Sequence, residues 1–278
     1  MRLLSPVAVR ALLDAHGVRP SRALGQNFLA DPNTARRIVR LAGVGPDHHV
    51  LEIGAGVGSL TLALAETGAS VKALEVDRHL LPVLAEVLAG ADNVEVVQAD
   101  ALTADYGPLL GCRPSMLVAN LPYNVATPVV VRLLGAAPQL DRMVVMVQKE
   151  VAERLAAPPG TPACGAVSTR VAYHCTARTL ARVPPTVFIP RPRVESAVIG
   201  LQRRAVPPVE VPDPEPMFAL ARAGFGQRRK MLRQSLRGVL GVGAAGILEA
   251  SGIDPAARAE QLTLAQWAAL TRESETAR

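Results

Sequence analysis

Between residues 48 and 148 the chain alternates short apolar, β-branched runs with stretches of helical apolar spacing. The runs His48–Ile53, Ser70–Val76, Asn93–Gln98, Ser115–Ala119 and Arg142–Gln148 read as strands, and Ser59–Thr67 and Arg78–Ala89 between them as helices. Such alternation predicts a parallel sheet with helices on both faces, because parallel strands need crossovers long enough to hold a helix. Two later runs, Ala166–Cys175 and Val194–Gln202, also read as strands. The proline-rich segment Val183–Arg193 between them reads as an extended loop, since proline removes a backbone donor and biases its predecessor away from the helix. Residues 205–216 hold five prolines and three acids and read as a linker. Beyond it, Met217–Leu240, Ala244–Ser251 and Thr263–Thr271 read as helices, the last with Leu264, Trp267 and Leu270 at helical spacing. The pattern predicts an α/β domain over residues 1–204, with a basic N-terminal arm, and a small helical domain over 205–278.

Composition narrows the class. The chain has 278 residues, 49% of them hydrophobic and 19% charged, enough for a sizeable core. No run of 18 apolar residues exists; the nearest, Met116–Pro138, is interrupted by Asn120, Pro122, Asn124, Pro128 and Arg132, so no membrane span is expected. The opening stretch MRLLSPVAVRALLDAHG carries Arg10 and Asp14 where a signal core would be apolar, and is expected to belong to a mature, cytoplasmic protein. Cys112, Cys164 and Cys175 are too far apart in sequence for a metal pair or a redox motif, and the five histidines form no constellation; no metal is expected. Nothing demands an oligomer, so a monomer is expected.

The net charge of +6 is unevenly spread: +5 over residues 1–40, −6 over 41–150, +4 over 151–200 and +3 over 201–278. Arg222, Arg228, Arg229, Lys230, Arg233 and Arg237 follow one another with no acid between. Such a run fits a grip on a polyanion backbone, and equally a solvated helix face.

Chemistry gathers at the strand ends. Residues 50–61, V-L-E-I-G-A-G-V-G-S-L-T, carry an apolar strand into Gly54, Gly56 and Gly58 and then a helix. Glycines there allow a tight turn and close approach of backbone to a ligand. The spacing is G-x-G-x-G, with Ser59 where a dinucleotide fingerprint has its last glycine. Glu52, just before the loop, disfavours a pyrophosphate and favours a cationic ligand. Glu75, at the end of the next strand, can chelate two ribose hydroxyls, and Asp100, at the end of the third, can reach an adenine amine. Three such features at successive strand ends point to a nucleoside cofactor. The fourth strand runs into Asn120-Leu121-Pro122-Tyr123-Asn124. As a bare turn this is unremarked. As chemistry, the Asn120 side-chain carbonyl and the Leu121 backbone carbonyl can accept both N–H bonds of an exocyclic adenine amine, aiming its lone pair at an electrophile, while Tyr123 stacks on the base.

These residues resemble the S-adenosylmethionine-dependent adenine N6-methyltransferases, and most closely the family that dimethylates two adjacent adenosines near the 3′ end of small-subunit ribosomal RNA. Leu24-Gly-Gln-Asn-Phe-Leu29, Gln148-Lys-Glu-Val151, Phe188-Ile-Pro-Arg-Pro-Arg-Val-Glu-Ser196 and Phe225-Gly-Gln-Arg-Arg-Lys-Met-Leu-Arg233 resemble further segments of that family in the same order. The resemblance implies a Rossmann-like class I methyltransferase domain with a mostly parallel seven-stranded sheet. It implies S-adenosyl-L-methionine as cofactor, held by Asn27, the backbone of Leu29, Gly54, Gly56, Glu75, Asp100, Ala101 and Asn120. It implies Asn120 and Leu121 orienting the target amine, Tyr123 stacking on the base, and Phe188 as the second aromatic wall. Arg191, Arg193, Arg222, Arg228, Arg229, Lys230 and Arg233 would grip RNA, and the partner would be small-subunit RNA within a small-subunit particle. Ala55, and Gln98-Ala99 before Asp100, depart from the commoner pattern without removing a side chain the chemistry needs. The related large-subunit, resistance-type enzyme usually has isoleucine where Leu121 stands, and a binding-only assembly factor would be expected to have lost Glu75, Asp100 or Asn120.

Overall fold

The computed structural model describes residues 3–113 and 115–276. By its internal contacts the chain divides into two units, one of residues 1–152 and 178–203, the other of 153–177 and 204–278. The helical unit thus takes residues 153–177 from the middle of the chain as well as the tail.

In the first unit the helix α1 (Pro6–Ala15) starts with Ser5 accepting from the Ala8 N–H and with proline in its first turn, where no intrahelical donor is lost. Its Val9 and Leu13 are buried with Phe28, Leu80 and Val83, so the basic N-terminal arm is anchored to the core. The short strand β1 (Phe28–Leu29) precedes α2 (Pro32–Ala42), capped by the Asp31 side chain. There follow β2 (His49–Ile53), α3 (Ser59–Ala65), β3 (Ser70–Glu75), α4 (Leu81–Val87), β4 (Val94–Gln98), α5 (Tyr106–Leu110), β5 (Ser115–Asn120), α6 (Ala126–Ala136), β6 (Leu140–Gln148) and α7 (Lys149–Ala156). After an excursion into the second unit come β7 (Cys175–Val183), β8 (Phe188–Ile189) and β9 (Ser196–Arg203).

Seven strands form one sheet in the order β4-β3-β2-β5-β6-β9-β7, and β1 pairs antiparallel with β8 beside it. The pairs β2–β3, β3–β4, β2–β5 and β5–β6 are parallel, and β6–β9 is antiparallel. The order reverses between β2 and β5. Right-handed crossovers running in opposite directions from that point put α3 and α4 on one face and α6 on the other. Loops at the carboxyl ends of β2 and β5 are left facing a crevice, which is where open α/β sheets bind ligands. The five strands expected between residues 48 and 148 form within one or two residues of the expected bounds; β2, β3, β5 and β6 are largely apolar and buried, whereas β4, at the sheet edge, is largely exposed.

The second unit comprises α8 (Ala166–His174), α9 (Glu215–Gly226), α10 (Leu232–Ser235), α11 (Arg237–Leu240), α12 (Ala244–Ala250) and α13 (Leu264–Thr276) around a core that includes Phe218, Leu232, Leu248 and Trp267. Two expectations fail here. Ala166–Cys175 is a helix, not a strand. Its β-branched residues are overruled by a cap in which the Gly165 N–H donates to Ser168 Oγ at 2.9 Å, and by packing of Tyr173 and Arg170 on the Phe218 ring. The strand that completes the sheet is the next segment, β7. Met217–Leu240 is not one helix but three. It breaks after Gly226, where seven residues separate buried Gly224 from buried Leu232, and the chain restarts with the Leu232 and Arg233 amides donating to Ala257 and Pro255 carbonyls. Among the described residues no helix is long and apolar enough to cross a membrane.

Candidate active site

The end of β2 turns through Gly54, Gly56 and Gly58, whose φ values are +76°, +60° and +84°, the left-handed region that glycine enters without strain. Space demands glycine as well: a Cβ on Gly54 would lie 3.2 Å from Pro122 Cδ and one on Gly56 3.0 Å from the Phe28 ring. The turn therefore forms a cradle whose backbone lies open to a ligand. Glu75, buried at the end of β3, is fixed against it. The Gly56 N–H donates to its Oε2 at 2.8 Å, and the Val76 and Asp77 N–H groups donate to its Oε1 at 2.9 Å. Burial pushes the Glu75 pKa up, against these three donors and reinforced by the Asp77 charge. Asp100 is exposed beyond β4 and accepts from the Leu102 N–H at 2.8 Å. The neighbouring Ala101 carbonyl accepts from the buried Tyr106 hydroxyl at 2.6 Å, which holds this loop in place.

Asn120 ends β5. Its Nδ2 donates to the Asn27 carbonyl at 3.2 Å, and its Oδ1 is buried without a hydrogen-bond partner. An orphaned buried acceptor is costly unless a ligand donor meets it. The Leu121 N–H donates to the Met146 carbonyl, which fixes the turn that follows to β6. The Tyr123 hydroxyl shares a 2.5 Å hydrogen bond with Ser196 Oγ at the start of β9, and burial pushes its pKa up. The Phe188 ring meets Tyr123 edge-on, with centroids 6.4 Å apart.

A cleft of about 900 Å³, open mouth included, lies between these loops. The structure brings Asn27, Leu29, Gly54, Gly56, Glu75, Asp100, Ala101, Asn120, Leu121 and Tyr123 to its lining. Phe188 is not among them. It is 3% exposed in the main core and reaches the cleft only through Tyr123, so the expectation of a second stacking wall becomes one of a ring that backs the first. The reason is its place in β8, paired to Leu29 of β1, which turns the ring inward.

Glu52 also lines the cleft, 1% exposed, with Oε2 unpartnered. Burial raises its pKa to about 8; the Thr61 hydroxyl opposes this and the Glu75 charge adds to it. Among the described residues, three carboxyl groups and no lysine or arginine thus line the cleft. That donor set suits a ribose, an adenine amine and a cationic group, and repels a pyrophosphate. S-adenosylmethionine, a nucleoside with a sulfonium and an ammonium, fits the residues present.

None of the expected RNA-gripping residues is in the lining of the cleft. Arg191 and Arg193 are exposed in the first unit, just after β8, while Arg222, Arg228, Arg229, Lys230 and Arg233 are exposed in the second. Arg228 is partly engaged, donating to the Pro162 carbonyl and lying 3.9 Å from Glu260. Residues 227–230 form a turn between helices rather than the expected helix.

Sequence reasoning missed Ser196 as the partner of Tyr123, and Gln26 and Asn124 as tethers of the segment over the cleft. Each lies inside a motif, yet its partner is 51 to 101 residues away, and no local pattern records such pairs.

Comparison with known proteins places these features. The family model described as ribosomal RNA adenine dimethylase matches residues 18–275. The ribosomal RNA small subunit methyltransferase A of Cutibacterium acnes is 46% identical over 273 residues, 94% of this chain and 91% of the relative. Among solved structures, the 23S rRNA methyltransferase ErmE is 29% identical, with a TM-score of 0.67 over 90% of this chain and all of that one. A dimethyladenosine transferase from Plasmodium falciparum shares the fold at 22% identity, with a TM-score of 0.70 over 87% of this chain and 95% of its own.

Proposed function

This chain belongs to the ribosomal RNA adenine dimethylase family, and from that membership we propose that it transfers methyl groups from S-adenosylmethionine to the N6 amines of two adjacent adenosines near the 3′ end of small-subunit ribosomal RNA. It is a methyltransferase; the small subunit is the target because relatives sharing close to half its residues carry that name, whereas the 23S enzyme is a more distant match. The observation that carries the chemistry is the orphaned Oδ1 of Asn120, a buried acceptor in the lining of the cleft at the end of β5.

When bound, S-adenosylmethionine supplies a methyl group made electrophilic by its sulfonium. Glu75 would hold the ribose hydroxyls, with Asp100 and the Ala101 backbone at the adenine. The glycine turn, Asn27 and the Leu29 backbone would enclose the remainder. Asn120 Oδ1 and the Leu121 carbonyl accept the two N–H bonds of the target amine. This withdraws the nitrogen lone pair from the ring and points it at the methyl group. Tyr123, held by Ser196 and backed by Phe188, stacks on the extruded base. The amine sheds its proton after transfer, so no strong base is required. The exposed arginines and lysine of both units would bind RNA phosphates. The protein would work as a monomer in the cytoplasm, on a small-subunit particle.

The test uses isotopically labelled S-adenosylmethionine with purified small and large ribosomal subunits from cells lacking the dimethylation, followed by digestion and nucleoside identification. Labelled N6,N6-dimethyladenosine in the small subunit is the expected result. Label confined to the large subunit would assign the resistance-type target, and binding without label would leave an assembly factor.

A further inference from the structure

The segment Ser21–Leu29 crosses the mouth of the cleft and contributes Leu24 through Leu29 to its lining. It is tethered on both sides. On one side Gln26 Nε2 donates to Asp77 Oδ2 at 2.8 Å, while Gln26 Oε1 accepts from the Ser21 N–H at 2.8 Å. Asp77 lies two residues beyond Glu75, on the cofactor side. On the other side Asn124 Nδ2 donates to the Ala23 carbonyl at 2.7 Å. Asn124 closes the turn that begins with Asn120, on the target side. Gly25, with φ +64°, sits directly against the Asn124 amide, and no Cβ would fit there.

Directly after the tethered positions Ala23 and Gln26 comes the Asn27 carbonyl, which accepts from Asn120 Nδ2. A carbonyl can only accept, so this contact fixes which end of the Asn120 amide is which. The NH₂ is spent on the strap, and Oδ1 is left facing the cleft with no partner. With the strap lifted, the amide could turn over and present a donor to the target amine, which repels rather than withdraws its protons.

We propose that Gln26 and Asn124 are positioning residues for methyl transfer: they latch the strap from the cofactor side and the target side, so that the Asn27 carbonyl holds Asn120 in its accepting orientation. The proposal rests on the role given to Asn120 above. One segment thereby covers the cofactor and sets the target-binding group, and neither tether touches a reacting atom.

The test compares kcat and KM for both substrates in Asn124→Asp, Gln26→Glu and the double variant, on small subunits lacking the modification. Each change is nearly isosteric, removes the donor and places a carboxylate against an acceptor. Each single variant is expected to lose between about tenfold and a hundredfold in kcat and to raise KM for the cofactor, with KM for RNA and the melting temperature little changed. The double variant is expected to be no slower than the slower single, because both release the same strap. Adding Asp77→Asn to Gln26→Glu restores a donor–acceptor pair in reversed sense and is expected to recover kcat. Hydrogen exchange of residues 21–27 in the free protein should accelerate in each single variant. Unchanged kcat, losses confined to KM, losses that multiply, or failure of the reversed pair to recover would each overturn the latch. If the wild-type protein transfers no methyl group, the proposed function fails, while the exchange measurement still decides whether the tethers hold the strap.

Discussion

Glu52 offers a prediction that can be worked in full. It is 1% exposed, its Oε2 has no partner, and the nearest charge is another carboxylate, Glu75. Its pKa of about 8 in the folded chain, against an ordinary 4.5, means that the folded protein holds a proton the unfolded chain has released across that window. The sign follows from linkage: a group with a raised folded pKa stabilises fully below its unfolded pKa, and that contribution is lost as pH rises through the folded value. Each pH unit in the window is worth about 1.4 kcal/mol. From pH 5 to pH 8 the ceiling is therefore about 4 kcal/mol of stability lost with rising pH. Glu52→Gln keeps the shape and removes the titration, so wild type should lose stability relative to the variant steadily over that range. Carboxylates that do not interact with Glu52 titrate in both proteins and cancel. Urea unfolding followed by far-UV circular dichroism at pH 5, 6, 7 and 8 measures this. The fluorescence of Trp267, the single tryptophan, sits in the second unit and serves as a control. Parallel stability curves for the two proteins would refute the reasoning, and would mean that Glu52 is solvated or paired in solution.

Further outcomes concern the site and the RNA. Asn120→Ala should lower methyl transfer by at least about a hundredfold while leaving RNA binding intact, as judged by single-turnover rates and filter binding; retention of a tenth of the activity contradicts its role. Tyr123→Phe keeps the ring and loses only the Ser196 hydroxyl contact, so it should keep most activity, whereas Tyr123→Leu should lose stacking worth about 1–3 kcal/mol, seen in kcat/KM. Replacing Arg228, Arg229 and Lys230 together by alanine should weaken RNA binding and flatten the plot of log affinity against log salt by about two to three units. Since Arg228 already contacts Pro162 and Glu260, Arg229 and Lys230 should account for most of that change.

The parts of this molecule that were legible in its sequence are those where a local pattern meets a local cause. The strands ending at Ile53, Glu75, Gln98 and Asn120 are short β-branched and apolar runs with few polar interruptions, and the polar residues at or just past their ends mark the crevice of a parallel sheet. Gly54 and Gly56 are readable because only glycine tolerates that turn. The failures share a different cause. Ala166–His174 has the composition of a strand but becomes a helix through Phe218 and Glu215, some 45 residues away. Phe188 is expected as a binding aromatic from the family resemblance, yet it is buried in the main core, paired with Leu29. The protonated state of Glu52 depends on burial by several elements at once. The Gln26 and Asn124 tethers reach across 51 and 101 residues.

The interleaving of the two units bears on how the chain is made. Tyr173 leaves the ribosome well before Phe218, the ring it packs against. At 5–20 residues per second the delay is roughly 2–9 s, long compared with the microseconds in which a helix forms and melts. A nine-residue helix such as α8 is marginal by itself. During synthesis it must wait as an unfolded loop between β6 and β7, since every strand of the sheet, β7 and β9 included, is made before Phe218. Chains halted near residue 204 would carry that loop with its apolar face uncovered, and would be natural substrates for chaperones and proteases. The last 75 residues thus act as the release step for the segment that precedes them.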